Sequence, residues 1–329
     1  MEWQSSFTRR EVLSLGLAAG LSSTLLTSPW PRRAWAQEAA LKAGYLSISA
    51  CVQYFAAKEQ GFFKAEGLKI EDQPARVGAM IMEGIVSGSF ELGFTNTVDI
   101  AQINLKGISV KIIYPGVIIS ATHPYSQMMV PLDSGIQSVK DFAGKSIGVA
   151  AARSSIDLSI FNWLEKNGVD PKAVKIVELG FAGIVPGLKS KQVDAVLAVE
   201  PAIAVIVGQK IGRSVGFPHG ALGSQVLVVA YMALESWIEK NPQKAQAIVR
   251  ALDKATQWLM EHPEALPGIM ERNARIKEDL ARKMIQPGLT RVARKVDLQS
   301  FIDVAAKFNH IPRSLDVCTL FSKYSPKEC

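Results

Sequence analysis

From Leu41 onward, short apolar runs alternate with helical stretches, and this alternation restricts the fold more than any other feature of the sequence. It predicts an α/β protein with a largely parallel sheet, because parallel strands need a crossover helix to bring the chain back. Leu41–Ser47 reads as a strand and Val52–Gln60 as a helix closed by Gly61, with a second strand starting at Gly67-Leu68-Lys69-Ile70. A helix over Ala79–Ser87, a strand over Glu91–Thr95, a helix over Val98–Lys106 and a long β-branched strand over Val110–Ile119 complete a first cycle. After Pro131 the alternation restarts. Strands are expected at Lys145–Ala150, Val174–Glu178 and Val193–Val199, and helices at Ser155–Lys166, Ile184–Lys191 and Pro201–Gly208. Val226–Met232 is one more apolar strand. From Glu235 onward only helices are expected, including Pro242–Glu261, Lys277–Ile285 and Asp297–Phe308.

Two cycles matched in layout but not in residues predict two lobes with a cleft between them, followed by a helical tail. Gln127–Val130 and Val226–Val229 are the candidate crossings between lobes. Packing of every strand into one sheet is the alternative.

Residues 1–36 are set apart as an export leader. Arg9-Arg10 precedes an apolar run, Val12 to Leu26, that serines and glycines dilute and that is short for a membrane span. Ala34-Trp35-Ala36 supplies a small-x-small cleavage pattern before Gln37, and the arginine pair resembles the twin-arginine signal of bacteria. The alternative is an anchor that stays attached. The formal charge of +7 comes from 37 basic and 30 acidic residues; removing the leader's four arginines and two glutamates leaves 33 and 28, or +5. No basic run survives, which disfavours nucleic-acid binding. Three cysteines and four scattered histidines give neither a disulfide scaffold nor metal-ligand spacing, so no metal or cofactor is implied. In an oxidising compartment Cys318 and Cys329 can close a loop, which leaves Cys51 as a small core or pocket-wall residue.

Ligands of α/β sheets bind beyond the carboxyl ends of the strands, where helix N-termini direct free N–H groups. Ser47, Ser49 and Gln53 follow the first strand, Arg76-Val77-Gly78 the second, and Thr95-Asn96-Thr97-Val98-Asp99 the third. The second cycle offers Arg153-Ser154-Ser155, then Phe181-Ala182-Gly183, then Glu200-Pro201. Hydroxyls, glycines and an amide with few full charges suit a small polar ligand. Each element also has a plain structural role open to it. Thr95, Thr97 and Ser154 can be N-caps, and Arg153 a rim charge rather than an anion clamp. A carboxylate at the position of Glu200 must face the cleft or pair. His123, after the long strand, can face the cleft or be a hydrogen-bonded structural histidine. The glycine patterns of dinucleotide sites, P-loops and nucleophile elbows are absent, and nothing assembles a nucleophile, a base and an orienting acid. That favours a binder over an enzyme.

The order of features resembles the nitrate/sulfonate/taurine-type periplasmic substrate-binding proteins of ABC importers, related to thiamine-precursor binding proteins. The stretches that carry the resemblance are Leu41-Lys42-Ala43-Gly44-Tyr45 and, most specific, Ala56-Ala57-Lys58-Glu59-Gln60-Gly61-Phe62-Phe63-Lys64-Ala65-Glu66-Gly67-Leu68. Gly84–Gly93 adds a third stretch, with Glu91 where aspartate is usual. Ser138–Val149, and Lys191-Gln192-Val193-Asp194-Ala195 with Glu200-Pro201, match as well, with Lys191 where glycine is common. Together they span roughly Leu41 to Glu261. The resemblance implies a two-lobe venus-flytrap fold of type II, with lobe 1 from 37–127 plus 228–329 and lobe 2 from 128–227. It implies a monomeric periplasmic receptor that closes on a small molecule and delivers it to a membrane permease. It places binding positions at Ser49, Gly78, Thr95, Asn96, Ser154, Ser155 and Glu200. The rivals are an enzyme on the same scaffold, with His123 or Glu200 as acid or base, and a sensor that docks on a receptor kinase.

Overall fold

A computed structural model describes residues 40–152 and 154–329, with Ser155 through its backbone only. The expected leader, 1–36, and Arg153 therefore lie outside the described residues. The first cycle runs β1 (Leu41–Leu46), α1 (Val52–Glu59), α2 (Phe62–Ala65), β2 (Ile70–Ala75), α3 (Gly78–Ser87), β3 (Gly93–Asn96), α4 (Thr97–Leu105), β4 (Val110–Pro115) and β5 (Val117–Ser120). The second runs β6 (Ser126–Pro131), β7 (Ser146–Val149), α5 (Ser155–Lys166), β8 (Lys175–Glu178), α6 (Gly180–Lys189), β9 (Ala195–Val199), α7 (Ala202–Gly208) and β10 (Gly212–Gly216). The chain then returns through β11 (Gln225–Leu227) and β12 (Val229–Leu234). It ends with α8 (Glu235–Lys240), α9 (Pro242–Glu261), α10 (Leu266–Ala274), α11 (Glu278–Ala281), β13 (Gly288–Leu289), β14 (Ala293–Arg294), α12 (Lys295–Lys307) and β15 (Lys327–Glu328).

Ten of the strands form two sheets of one design. The parallel pair β1–β2 joins the β3-β12-β4 group through a parallel bridge between Ala43 and Leu92, giving the order β2-β1-β3-β12-β4. The second sheet reads β8-β7-β9-β6-β10. In each, three strands of a βα cycle are followed by an antiparallel intruder, β12 or β6, and then by the cycle's last strand. The intruders are the strands by which the chain enters one sheet on leaving the other. Packing of all strands into a single sheet is excluded.

Side-chain burial follows the sheets. The largest apolar cluster holds β1, β3, β4, β12 and the C-terminal helices, with Phe55, Tyr114, Tyr231 and Phe301 among its most enclosed members. The second sheet has a cluster on each face. Met128 and Val130 of β6 point to the Phe142–Trp163 side, while Met129 between them points to the Ile184–Leu188 side, the period-two alternation of a strand.

Several expectations need correction. The runs Val110–Ile119 and Val226–Met232 are each two strands. Gly116 and Val228 divide them, so β4 and β12 stay in the first sheet while β5 and β11 pair with each other outside it. Gln127–Val130, expected as a strand between the two cycles, is β6 in the body of the second sheet. The helix expected from Ile184 starts at Gly180, and that expected over Lys277–Ile285 shrinks to α11. The C-terminal part is not purely helical, since β13 pairs with β5 and β14 with β15. Cys318 and Cys329 are bonded, with Cα atoms 5.8 Å apart, beside β15. Cys51 is fully buried, and burial pushes its thiol far up, which leaves it an inert core residue.

Gly116 is where a side chain has no room. A Cβ there would lie 2.5 Å from the carbonyl oxygen of Val229, a backbone atom that cannot swing aside. Gly116→Ala is expected to lower stability by about 1–3 kcal/mol in urea unfolding; an unchanged midpoint would show that the crossing strands yield freely.

Candidate functional site

The carboxyl ends of β1, β2 and β3 lead into Ser47–Cys51, α3 and α4, and those of β7, β8 and β9 into α5, α6 and α7. Contacts around His310 link one helix of each set. Its carbonyl accepts from the Gln102 amide on α4 (3.4 Å), and its Nε2 lies 3.2 Å from Asp157 Oδ1 in the first turn of α5. Phe161 of α5 stacks edgewise on His310 and packs on Phe308, and Leu158 of α5 enters the large core of the first sheet. His310 therefore links the later half of α4 to the first turn of α5.

On the first sheet the convergence is tight. Gly78 opens α3 so close to β3 that a Cβ would meet Thr95 Oγ1 at 2.4 Å. Thr95 is buried and donates to Asp99 Oδ2 at 3.2 Å. Asn96 caps α4 by accepting from the Asp99 amide at 2.9 Å, and its Nδ2 donates to the same Oδ2. Burial raises the Asp99 carboxyl above its ordinary 3.8, while the Thr95 and Asn96 hydrogen bonds pull the other way. Thr97 is structural: its hydroxyl donates to the Leu227 carbonyl (2.9 Å) and its amide to that of Val228. Ser49 is buried and Ser47 exposed, both directly after β1.

On the second sheet, Ser154 caps α5, accepting from the Ile156 amide (3.2 Å) and donating to the Ala151 carbonyl (2.8 Å). Ser155 is the first helical residue after it. No side chain caps α3 or α6, whose N-cap positions are Val77 and Leu179. Beside these two helix starts Val77 (43%), Met80 (48%) and Phe181 (44%) are exposed; Val77 and Phe181 belong to the stretches expected after the strands, while Met80 carries no signature in the sequence.

Three expected site residues turn away. Gln53 is fully buried; its amide nitrogen donates to Thr256 Oγ1 of α9 at 2.9 Å, so it braces α1 against the C-terminal helices. Glu200 is 3% exposed and both oxygens are taken, Oε2 by the Ala204 amide (3.0 Å) and Oε1 by the Ile285 amide (2.9 Å). Burial raises its carboxyl while those two amides lower it. It ties the start of α7 to the C-terminal segment, so of the two options for such a carboxylate it takes pairing. Gly183 lies inside α6 against Leu179 rather than ahead of the helix. His123 sits in the turn between β5 and β6, its Nδ1 3.1 Å from Thr122 Oγ1. The second crossing carries a histidine that sequence reading missed, His219, buried with Nδ1 2.7 Å from Ser126 Oγ and pushed by burial to about 4, hence neutral at neutral pH. Among the described residues no group of three or more His, Cys, Asp or Glu can hold a metal.

Two predictions follow from these partners. Glu200→Ala leaves two amides without acceptors and is expected to cost about 1–3 kcal/mol in urea unfolding, while Glu200→Gln, which keeps one carbonyl oxygen, costs less; equal stability of both variants and the parent would remove the brace. Asp99 bears on pH. A carboxyl whose folded pKa is raised helps the fold below its unfolded value and loses that contribution as pH climbs through the folded value. Asp99→Asn is therefore expected to gain stability relative to the parent as pH climbs above the ordinary carboxylate range, from about pH 4 upward, and parallel pH profiles would contradict the raised pKa.

Known proteins place this geometry. The nitrate/nitrite binding protein NrtA of Nostoc is 28% identical over 236 residues, 66% of this chain and 53% of that protein. The 4-amino-5-hydroxymethyl-2-methylpyrimidine phosphate synthase of Schizosaccharomyces pombe is 22% identical over 229 residues, 64% of this chain and 62% of that one. The chain thus spans less than two thirds of the length of either relative. The periplasmic aliphatic sulphonate binding protein SsuA of Escherichia coli superposes with a TM-score of 0.72 at 18% identity, covering 86% of this chain and 92% of that one. The periplasmic nitrate-binding protein NrtA of Synechocystis gives 0.72 at 17%, covering 87% and 86%. At such identities the likeness establishes the fold, the two-lobe periplasmic-binding-protein fold. The family model described as NMT1/THI5 like matches residues 49–266, most of the described chain, and the protein belongs to that NMT1/THI5-like family.

Proposed function

We propose that the protein is an exported solute-binding receptor of an ABC importer, which captures a small organic ligand between its lobes and hands it to a permease. The observation that carries this reading is the pair of like sheets, each leading from its strand ends into helix starts with few full charges. We take 37–127 plus 228–329 as lobe 1 and 128–227 as lobe 2. The Arg9-Arg10 leader supports export to the periplasm by the twin-arginine route. The proposed binding set is Ser47, Ser49, Gly78, Thr95 and Asn96 from lobe 1, with Arg153, Ser154, Ser155 and the uncapped start of α6 from lobe 2.

A ligand shifts an open form toward a closed one only by binding the closed form better. Amides and hydroxyls contributed from both lobes supply that difference, and Val77, Met80 and Phe181 offer apolar surface to an organic body. A sulfonate, carboxylate or heteroaromatic compound suits such a lining better than a bare inorganic anion. The synthase relatives favour a second reading, an enzyme on the same scaffold. It would need an acid or base at the helix starts, where Asp99 stands.

The test is to express the chain from Gln37, purify it natively, denature it, and identify any released small molecule by mass spectrometry. One unmodified metabolite at stoichiometric amount is the expected result. A mixture of substrate and product that changes with incubation would overturn the receptor in favour of the enzyme.

A further inference from the structure

We propose that Asp99 sets the ligand class: its second carboxylate oxygen accepts a hydrogen bond from a nitrogen-borne donor, so the site takes small molecules bearing an amine or an amino-substituted ring and disfavours bare oxyanions. This rests on the receptor reading of the site.

The argument begins with what the carboxyl lacks. Other enclosed carboxylates are compensated: Glu66 by Arg250 and Lys254, Asp72 by Lys58, Asp297 by Arg294, and Glu200 by two amides. Asp99 is half-buried, and among the described residues no lysine or arginine pairs with it. Thr95 and Asn96 both donate to Oδ2, which fixes the carboxyl's rotation and leaves Oδ1 without a protein donor among the described residues. Gly78 lets the start of α3 pack closely against Thr95 and the Oδ2 side of the carboxyl, since a Cβ there would lie 2.4 Å from Thr95 Oγ1 and 3.8 Å from Asp99 Oδ2. Val77 and Met80 flank the same helix start with exposed apolar surface. The product is an oriented acceptor at the strand ends with an apolar border. An oxyanion brought there meets oxygen against oxygen, whereas an N–H group supplies the missing partner. Burial already disfavours the ionised carboxyl, and a donor from the ligand would relieve that cost.

The experiment uses matched pairs on the mature chain: taurine against ethanesulfonate, 4-aminopyrimidine against pyrimidine, and 4-aminobenzoate against benzoate, with nitrate alongside. Thermal shift identifies binders, and calorimetry compares the parent with Asp99→Asn and Asp99→Ala, each first shown folded by circular dichroism. The expected result is an amino-bearing member bound about tenfold or more tighter than its partner, with the preference erased in Asp99→Ala and partly kept in Asp99→Asn. An amino-free member or nitrate bound equally well, or a preference that survives Asp99→Ala, overturns the inference while the receptor reading stands. Silence of every compound overturns it for these ligand classes, and an empty native protein in addition would count against the receptor itself.

Discussion

Everything in this molecule depends on two apolar runs that each serve two structures. Val110–Ser120 and Gln225–Leu234 lie antiparallel, and each is divided at one residue, Gly116 or Val228. On one side of that division the strands belong to the first sheet; on the other they pair with each other outside it. Backbone bonds stitch the division itself, from the Gly116 amide to the Val229 carbonyl (3.1 Å) and from the Val228 amide to that of Val117 (3.3 Å). A buried strand cannot leave its ladder without losing its partners. Here the second ladder begins where the first ends, so the crossing costs no unpaired amides.

Around that crossing, buried polar groups serve as joints. Glu200 links α7 to Ile285, whose side chain packs against both the large core and a face of the second sheet. His310 stands between α4 and α5, and Ser126 and His219 join the two segments that pass between sheets. Leaving any of these groups unsatisfied costs more than the bond itself contributes, so they act as fixed points rather than free ligands. For this reason the carboxylate of Glu200, the most prominent acid of the sequence pattern, is taken up by two amides, while the less conspicuous Asp99 keeps one oxygen without a donor among the described residues.

What the sequence makes legible follows the range of each interaction. The βα cycles are local, set by apolar period, caps and glycines, and nearly all their elements appear within a residue or two of expectation, α5 and α9 without any shift. The division at Gly116 was hidden because β-branched residues continue on both sides of it. β10 escaped notice because Gly212-Arg213-Ser214-Val215-Gly216 has no apolar run; it is a strand only because β6 lies beside it. Asn96 and Ser154 cap helix starts and Thr95 directly precedes one, a placement that position in the βα cycle alone implies. Gln53 and Glu200 were misplaced because their partners, Thr256 and Ile285, lie 203 and 85 residues away in sequence. No local signal reports such a partner.

Sparse charge at the strand ends also has a physical consequence. Under the proposed closure of the lobes, a lysine or arginine placed there would have to be stripped of water, at a cost that only a full opposite charge recovers. Helix amides carry partial charge that is already oriented and already dehydrated on one side, so they meet a polar group without that penalty. In the proposed receptor, a site made from the starts of α3, α5 and α6 and a few hydroxyls would therefore discriminate by the direction and number of hydrogen bonds more than by net charge. That is the selectivity a solute receptor needs when related molecules share a charge and differ in where their donors lie.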